Sequence, residues 1–481
     1  LSPISWLRAA LLAALLAENR TVMAEPLPEP PPADPAVVAK WGRHIPRTMR
    51  LLETSRPERS NPLRILFYGQ SIMGAQWHVH VVDELRRRYP HARIEAENRS
   101  IGGFASQWLI RTSEHDLYPF QPDLLVFHVY GSHTHYETII QRVRARTTAE
   151  MMILSDHWTR QEGMKEPLEL EGWSKFMEGF LRQVARRHGC EHVDVRWPWK
   201  AHLEAHGLKP ADLLKDNVHL NEPGKRLMAA LCLRQFVYHP DVADDGSVTE
   251  VPADADRQPW KDGRMRLEFH GNRVDLVPGG SGDAVVEVSI DGSSPGEYPA
   301  LFAFTRPSGV IAPGWPALKK ISWEKTPVPE EWTLTLTEIG PGHAWVRFRV
   351  EGSVTGSDGE GDSRERFVSR SGRVVVEPED WTLQRSHEFS GEQARPGMTV
   401  TWSCVPRFLA QWRAPAVWDP TEPGVATLFH GLPNGPHTLE LRVVSGTPPP
   451  IRAFRVHRPS GMEPPEPPPL TARGREAEQS P

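Results

Sequence analysis

What most restricts the folds open to this chain is an alternation that runs from Leu63 to Tyr238. Leu63–Phe67 is a short apolar run between Pro62 and the polar Gly69-Gln70-Ser71, the pattern of a strand buried on both faces. Behind it, Trp77, Val81, Val82 and Leu85 recur at helical spacing and predict a helix over Ala75–Tyr89. The alternation then repeats. Strands are predicted at Arg93–Asn98, Leu124–Val129, Met151–Ser155 and His192–Arg196, and helices at Ala105–Leu117, Tyr136–Arg146, Trp173–His188 and Glu222–Tyr238. Strands alternating with helices make βαβ units, and these build a parallel sheet of α/β class. In such sheets ligands bind outside the carboxyl ends of the strands.

Past about Val251 the periodicity changes to two. Met265–Phe269, a Gly271-Asn272 turn and Arg273–Val277 read as a hairpin. Further period-two runs follow at Val285–Ile290, Trp332–Thr337, Trp345–Val350, Val374–Val376, Thr399–Trp402, His437–Val443 and Ile451–Val456. Many short strands separated by Gly, Pro and Asp turns predict an all-β sandwich of jelly-roll type. A chain of 481 residues is too long for one ordinary core, so the shift in periodicity is taken as a domain boundary. The predicted division is 1–24 signal peptide, 25–56 Pro-rich linker and N-terminal helix, 57–250 α/β domain, 251–458 β-sandwich and 459–481 disordered tail.

The amino terminus predicts export. Ala9–Ala17 is a nine-residue apolar core, too short to span a bilayer, with Arg8 before it and Val22-Met23-Ala24 offering small residues for cleavage. A secreted or periplasmic location follows, and no other stretch is long and apolar enough to span a membrane. The formal net charge, 56 − 61 = −5, argues against a nucleic-acid partner. Seventeen tryptophans against seven tyrosines would suit a flat carbohydrate-binding face, or core packing. Three cysteines are too few for a disulfide framework, and with no Cys-x-x-Cys they give no thiolate zinc site. Cys232 lies in the apolar run Leu227–Leu233 and reads as core; a Cys190–Cys232 bridge is left open.

Acyl transfer needs a nucleophile, a base for its proton, a group to orient that base, and donors for the oxyanion. Candidates stand at the ends of the predicted strands. Ser71 follows the first, although a serine before a helix also serves as a cap. Asn98-Arg-Ser-Ile-Gly-Gly103 follows the second, where small residues let backbone N–H groups approach a ligand. Tyr130-Gly-Ser-His-Thr-His135 follows the third, and Lys215-Asp-Asn-Val-His-Leu-Asn221 precedes the last helix. Asp216 and His219 are spaced so that the carboxylate can hold one imidazole nitrogen while the other faces Ser71.

With these four blocks in this order, the chain resembles the SGNH (GDSL-like) hydrolases over about two-fifths of its length, Leu63 to Tyr238. The resemblance implies a three-layer α/β/α domain with a parallel sheet and a Ser-His-Asp triad of Ser71, His219 and Asp216. The family's Gly-Asp-Ser is Gly69-Gln70-Ser71 here, and the Gln70 variant is similar to carbohydrate O-acetylesterases of the superfamily. The second-block glycine, an oxyanion donor in the family, matches Gly103. The third block departs from the family: Gly-x-Asn-Asp would fall on Gly131-Ser132-His133-Thr134, which puts His133 where the oxyanion-binding Asn belongs. A neutral imidazole keeps one N–H to donate. No cofactor is implied.

Other chemistries weigh less. His133-x-His135 could hold a metal, yet no spaced carboxylate accompanies it. Asp358-Gly-Glu-Gly-Asp362 lacks the full pattern of a calcium loop and reads as a solvated turn. Met73 breaks Gly-x-Ser-x-Gly, so the α/β-hydrolase elbow is disfavoured. The expectation is an exported serine esterase that removes acetyl or other small acyl groups from carbohydrate. The β-rich part is expected to assist substrate engagement without supplying catalytic groups. Two readings of other kinds stay open: a carbohydrate-binding or scaffold protein with a degenerate SGNH domain, and an O-acyltransferase.

Overall fold

The computed structural model describes residues 26–159, 176–253, 259–308, 315–391, 393–422 and 424–468. The predicted signal peptide and the last part of the predicted tail lie outside these residues. Strands β1 (Pro62–Gly69), β2 (Arg93–Asn98), β3 (Leu124–His128), β4 (Glu150–Leu154) and β5 (Glu191–Val193) form a five-stranded sheet in the order β2-β1-β3-β4-β5. Every pair in it is parallel. The strand order reverses at β1, which places a crevice at the carboxyl ends of β1 and β3.

Alternate residues of β1 enter different cores. Leu63, Ile65 and Phe67 pack with Met49, Val81 and Leu227, while Leu66 and Tyr68 pack with Leu109, Ile139 and Leu181. The period of two along a strand thus fills a helical layer on each face, and the α/β part has three layers. Gly69 lets β1 and β3 approach, because a Cβ there would lie 1.9 Å from the His128 carbonyl oxygen.

Several predicted boundaries move. The segment Ala36–Arg56 forms two short helices, Pro35–Val38 and Pro46–Glu53. Helix Ala75–Tyr89 starts at His78, after a separate turn of helix at Ser71–Gly74. Strand β5 ends at Val193, and Arg196 opens a helix, Arg196–Ala205, that was not predicted. The Ser155 hydroxyl accepts from Val195 N–H at 2.9 Å and from Arg196 N–H at 3.4 Å, supplying partners at that helix start. Pro198 sits in its first turn, where a missing N–H costs nothing.

The β-rich part holds two antiparallel sheets. The six-stranded one runs β16-β8-β17-β7-β18-β6, from β6 (Val248–Pro252), β7 (Arg264–Pro278), β8 (Val285–Ile290), β16 (Gln411–Arg413), β17 (Ala426–Ser445) and β18 (Ile451–His457). The five-stranded one runs β12-β11-β10-β15-β9, from β9 (Phe302–Phe304), β10 (Glu330–Ile339), β11 (Val346–Gly352), β12 (Gly356–Asp362) and β15 (Thr399–Pro406). Each sheet carries its own apolar cluster. A small pair, β13 (Phe367–Val368) and β14 (Val375–Val376), packs with the second.

The predicted hairpin at Gly271-Asn272 is wrong: both residues lie inside the continuous strand β7. Glycine is needed there for close approach, since a Cβ would sit 2.3 Å from the His457 carbonyl oxygen. Asn272 donates its side-chain amide to Arg146 O at 2.9 Å, tying this sheet to the α/β part. The Asp358–Asp362 turn is likewise corrected to edge strand β12. Asp358 is buried and accepts from the Ser371 N–H at 2.8 Å and the Ser371 hydroxyl at 2.6 Å. Residues 459–468, the start of the predicted tail, lie along helix His133–Arg146, with Gly461 N–H on Arg144 O at 2.8 Å. All three cysteines are buried and unpaired. Among the described residues no helix is long and apolar enough to cross a membrane.

Candidate active site

Gln70 leaves β1 in an extended conformation, and its side-chain oxygen accepts the Ile72 N–H at 3.1 Å, capping the turn Ser71–Gly74. The cap is therefore Gln70, and Ser71 is released from that duty. Ser71 Oγ lies 2.8 Å from Gln70 Oε1 and 3.0 Å from His219 Nε2. His219 Nδ1 in turn lies 2.9 Å from Asp216 Oδ2. With Nδ1–H donating to the carboxylate, Nε2 is left as the acceptor that faces the serine.

His219 is held by its own loop. Asp216 Oδ1 accepts from Val218 N–H at 2.8 Å and His219 N–H at 2.7 Å. Lys215 N–H donates to His219 O at 2.9 Å, and Asn221 caps the following helix, Glu222–Leu233, by accepting from Gly224 N–H at 3.0 Å. Burial raises the Asp216 pKa slightly, but the two loop N–H groups and the His219 ring outweigh it and hold the carboxyl down to about 2. Asp216 is thus ionised while the fold stands.

Two glycines border Ser71. A Cβ on Gly102 would lie 3.6 Å from the Ser71 Cβ, and Gly103 has φ +76°, a conformation natural to glycine. Among the described residues nothing accepts a hydrogen bond from the N–H of Ser71, Gly102 or Gly103. Asn98 ties this loop to the nucleophile turn: its Nδ2 donates to Met73 O at 2.8 Å while its Oδ1 accepts from Ser100 N–H at 3.1 Å.

Sequence reasoning thus named Ser71, Asp216, His219, Gln70 and Gly103, and these stand together. His133 is placed differently from a bare loop residue. It opens helix His133–Arg146, and its ring stacks on Phe180 with centroids 4.1 Å apart. Desolvation holds its pKa below the ordinary imidazole value, so the ring is neutral with a single N–H. His135 is bound to Ser132, Nδ1 to Oγ at 2.7 Å. Among the described residues no group of three or more His, Cys, Asp or Glu side chains is placed to hold a metal.

Two buried residues at the end of β4 were missed. His157 Nε2 lies 2.8 Å from Val218 O, the carbonyl one residue before His219, and its Nδ1 lies 2.8 Å from Asp156 Oδ1. This pair braces the loop that carries His219. Their position at the carboxyl end of a central strand was the available signal. The site itself is open: the side chains of His219 and Asp216 are 37% and 50% exposed. A cavity of about 730 Å³ lies elsewhere, between the α/β part and the β-rich part, where Glu114, Arg146, Phe302 and Arg407 line it.

No family model matches the chain, and no curated protein matches it. Among solved structures it is similar to a two-domain esterase active on acetylated mannans, at 12% identity over 87% of this chain and 96% of that one, with a TM-score of 0.33. It is also similar to an acetylxylan esterase from Geobacillus stearothermophilus, at 19% identity over 38% of this chain and 98% of that one, with a TM-score of 0.32.

Proposed function

We propose, starting from an α/β part of SGNH/GDSL-like hydrolase type, that the protein is a serine ester hydrolase acting on small acyl esters of carbohydrate, acetyl above all. The observation that carries this reading is the unbroken line Asp216–His219–Ser71, with contacts of 2.9 and 3.0 Å, beside N–H groups that no acceptor among the described residues occupies.

In this mechanism Ser71 Oγ attacks the ester carbonyl while His219 Nε2 takes its proton. The imidazolium is stabilised by ionised Asp216. Charge developing on the carbonyl oxygen is met by the N–H groups of Ser71 and Gly103, with the neutral His133 ring as a further donor. His219 then protonates the departing sugar oxygen, leaving an acyl-serine. Water, deprotonated by His219, attacks that ester; as the intermediate collapses and the C–Oγ bond breaks, His219 gives the proton to Ser71 Oγ and the acid is freed. Gln70 contributes by fixing the serine rotamer, since the Ile72 N–H determines which of its amide atoms faces Ser71.

The substrate class rests on two supports. The Gln70 variant of the first block is similar to that of carbohydrate O-acetylesterases. The half-exposed triad also suits an ester on the surface of a bulky glycan, because a short acyl group needs no deep apolar channel. Acetate release from a panel of acetylated glycans, measured with wild type and Ser71→Ala, tests the proposal. Release that persists in Ser71→Ala would move the chemistry off this serine.

A further inference from the structure

The Gly102–Gly103 loop is anchored from within by Arg99 N–H on Phe67 O at 3.0 Å and Ile101 N–H on Gly69 O at 2.9 Å. Two of its carbonyls are held from outside, by side chains that enter from the β-rich part. Arg306, just past β9, donates to Arg99 O and forms a paired contact with Asp116, with Nε 2.8 Å from Oδ1 and Nη2 2.8 Å from Oδ2. Trp315 donates its indole N–H to Gly102 O at 2.7 Å. It is 7% exposed and belongs to the apolar cluster of the α/β part, edge-on to Phe104 at 5.3 Å.

The Gly102 carbonyl and the Gly103 N–H belong to one peptide group. That group is planar, and no peptide in the described chain is cis, so its C=O and N–H point in opposite directions. Fixing the oxygen therefore fixes the line along which Gly103 N–H points. The indole N–H also polarises the same amide, which strengthens its N–H as a donor. The ring also closes the space beside Gly103, where an added Cβ would lie 3.0 Å from Trp315 Cζ2.

We infer that Trp315 is a positioning residue for the oxyanion donor Gly103, delivered from the β-rich part, and that Arg306 steadies the other end of the same loop. The inference rests on the esterase reading for its catalytic consequence, but the loop contacts stand apart from it. It also amends the expectation for the β-rich part. That part supplies no reacting group, yet the geometry of the oxyanion site depends on it.

The test uses the full chain and p-nitrophenyl acetate, whose leaving group carries no sugar. Trp315→Phe keeps an aromatic ring, though a smaller one, and removes the N–H. Its kcat should fall about tenfold, short of the roughly hundred- to thousand-fold loss of a missing donor, while KM stays within about twofold. Amide hydrogen exchange over residues 99–104 should quicken in the same variant. Arg306→Lys should act in the same direction and stands in should Trp315→Phe precipitate. An unchanged kcat with unchanged exchange would overturn the inference. So would a loss confined to KM on acetylated glycan, which would make Trp315 a sugar-stacking residue. If wild type shows no Ser71-dependent turnover, the esterase reading fails and the exchange measurement alone decides the loop contact.

Discussion

Ser71 Oγ has one proton and two acceptors, Gln70 Oε1 at 2.8 Å and His219 Nε2 at 3.0 Å. In the proposed mechanism only the second leads to chemistry, so the rate depends on His219 more than on any other neighbour of the serine. His219→Ala should abolish turnover nearly as fully as Ser71→Ala, by several orders of magnitude. Asp216→Ala should cost less, because a half-exposed carboxylate stabilises the imidazolium through water-screened charge. Turnover of aryl acetate by the three variants ranks them, and a near-normal His219→Ala would remove the triad. His133 offers a sharper comparison. If its N–H meets the oxyanion, His133→Ala lowers kcat about a hundredfold with little change in KM, and His133→Asn recovers much of it. If the ring serves only its stack on Phe180, kcat holds in both. The triad was legible in the sequence because its members lie in short blocks with fixed internal spacing. Asp156, His157 and Trp315 were not: His157 and Trp315 act on distant backbone carbonyls, Val218 O 61 residues away and Gly102 O 213 residues away, and Asp156 acts only through His157.

At the scale of elements, the alternation of apolar strands and helices carried the α/β part because its central strands β1, β3 and β4 are buried on both faces. Ends were harder to read. Strand β5 and helix Arg196–Ala205 divide on the Ser155 hydroxyl, a partner from another strand that no local pattern announces. Gly271-Asn272 reads as a turn in isolation and becomes mid-strand only because β18 passes so close. One element contact also predicts a pH effect. Glu191, on β5, accepts the N–H groups of Gly42 and His44 at 2.9 and 3.1 Å, pinning the N-terminal segment. Burial pushes its carboxyl up from 4.5 to about 7, against the two N–H groups that pull it down. A folded pKa above the unfolded one means that the folded state holds a proton the unfolded chain releases. Its stabilisation is full below about pH 4.5 and is lost as pH rises to about 7. The melting temperature of wild type should therefore fall across that window relative to Glu191→Gln, whose side chain cannot ionise. Parallel curves for the two proteins would refute the assignment.

Across the whole molecule, the α/β and β-rich parts are joined by buried polar contacts rather than by a loose linker. Arg111 grips Asp380 through Nε at 2.6 Å and Nη2 at 2.5 Å, and His115 lies between Phe304 O at 2.9 Å and Ile321 N–H at 3.1 Å. Asp380 is 2% exposed at its side chain and Arg111 25%, so removing one partner strands a largely desolvated charge. Asp380→Ala should cost about 3 kcal/mol, and the protein should still melt in one calorimetric transition. Two separated transitions in wild type would show that the parts are energetically independent.

The five-stranded sheet interrupts the six-stranded one between β8 and β16, and it enters and leaves through neighbours: Phe302 pairs with Pro406 and Phe304 with Cys404. Its two chain ends therefore already meet, as the ends of a graft must. Sequence between them can be exchanged without re-threading the surrounding sheet, provided the new insert supplies partners for Arg111, His115 and Asp116. The insert that brings Arg306 and Trp315 to the glycine loop is in this sense a replaceable cartridge. A new loop partner, and with it a new tuning of the site, is open to recombination in one event instead of many point changes.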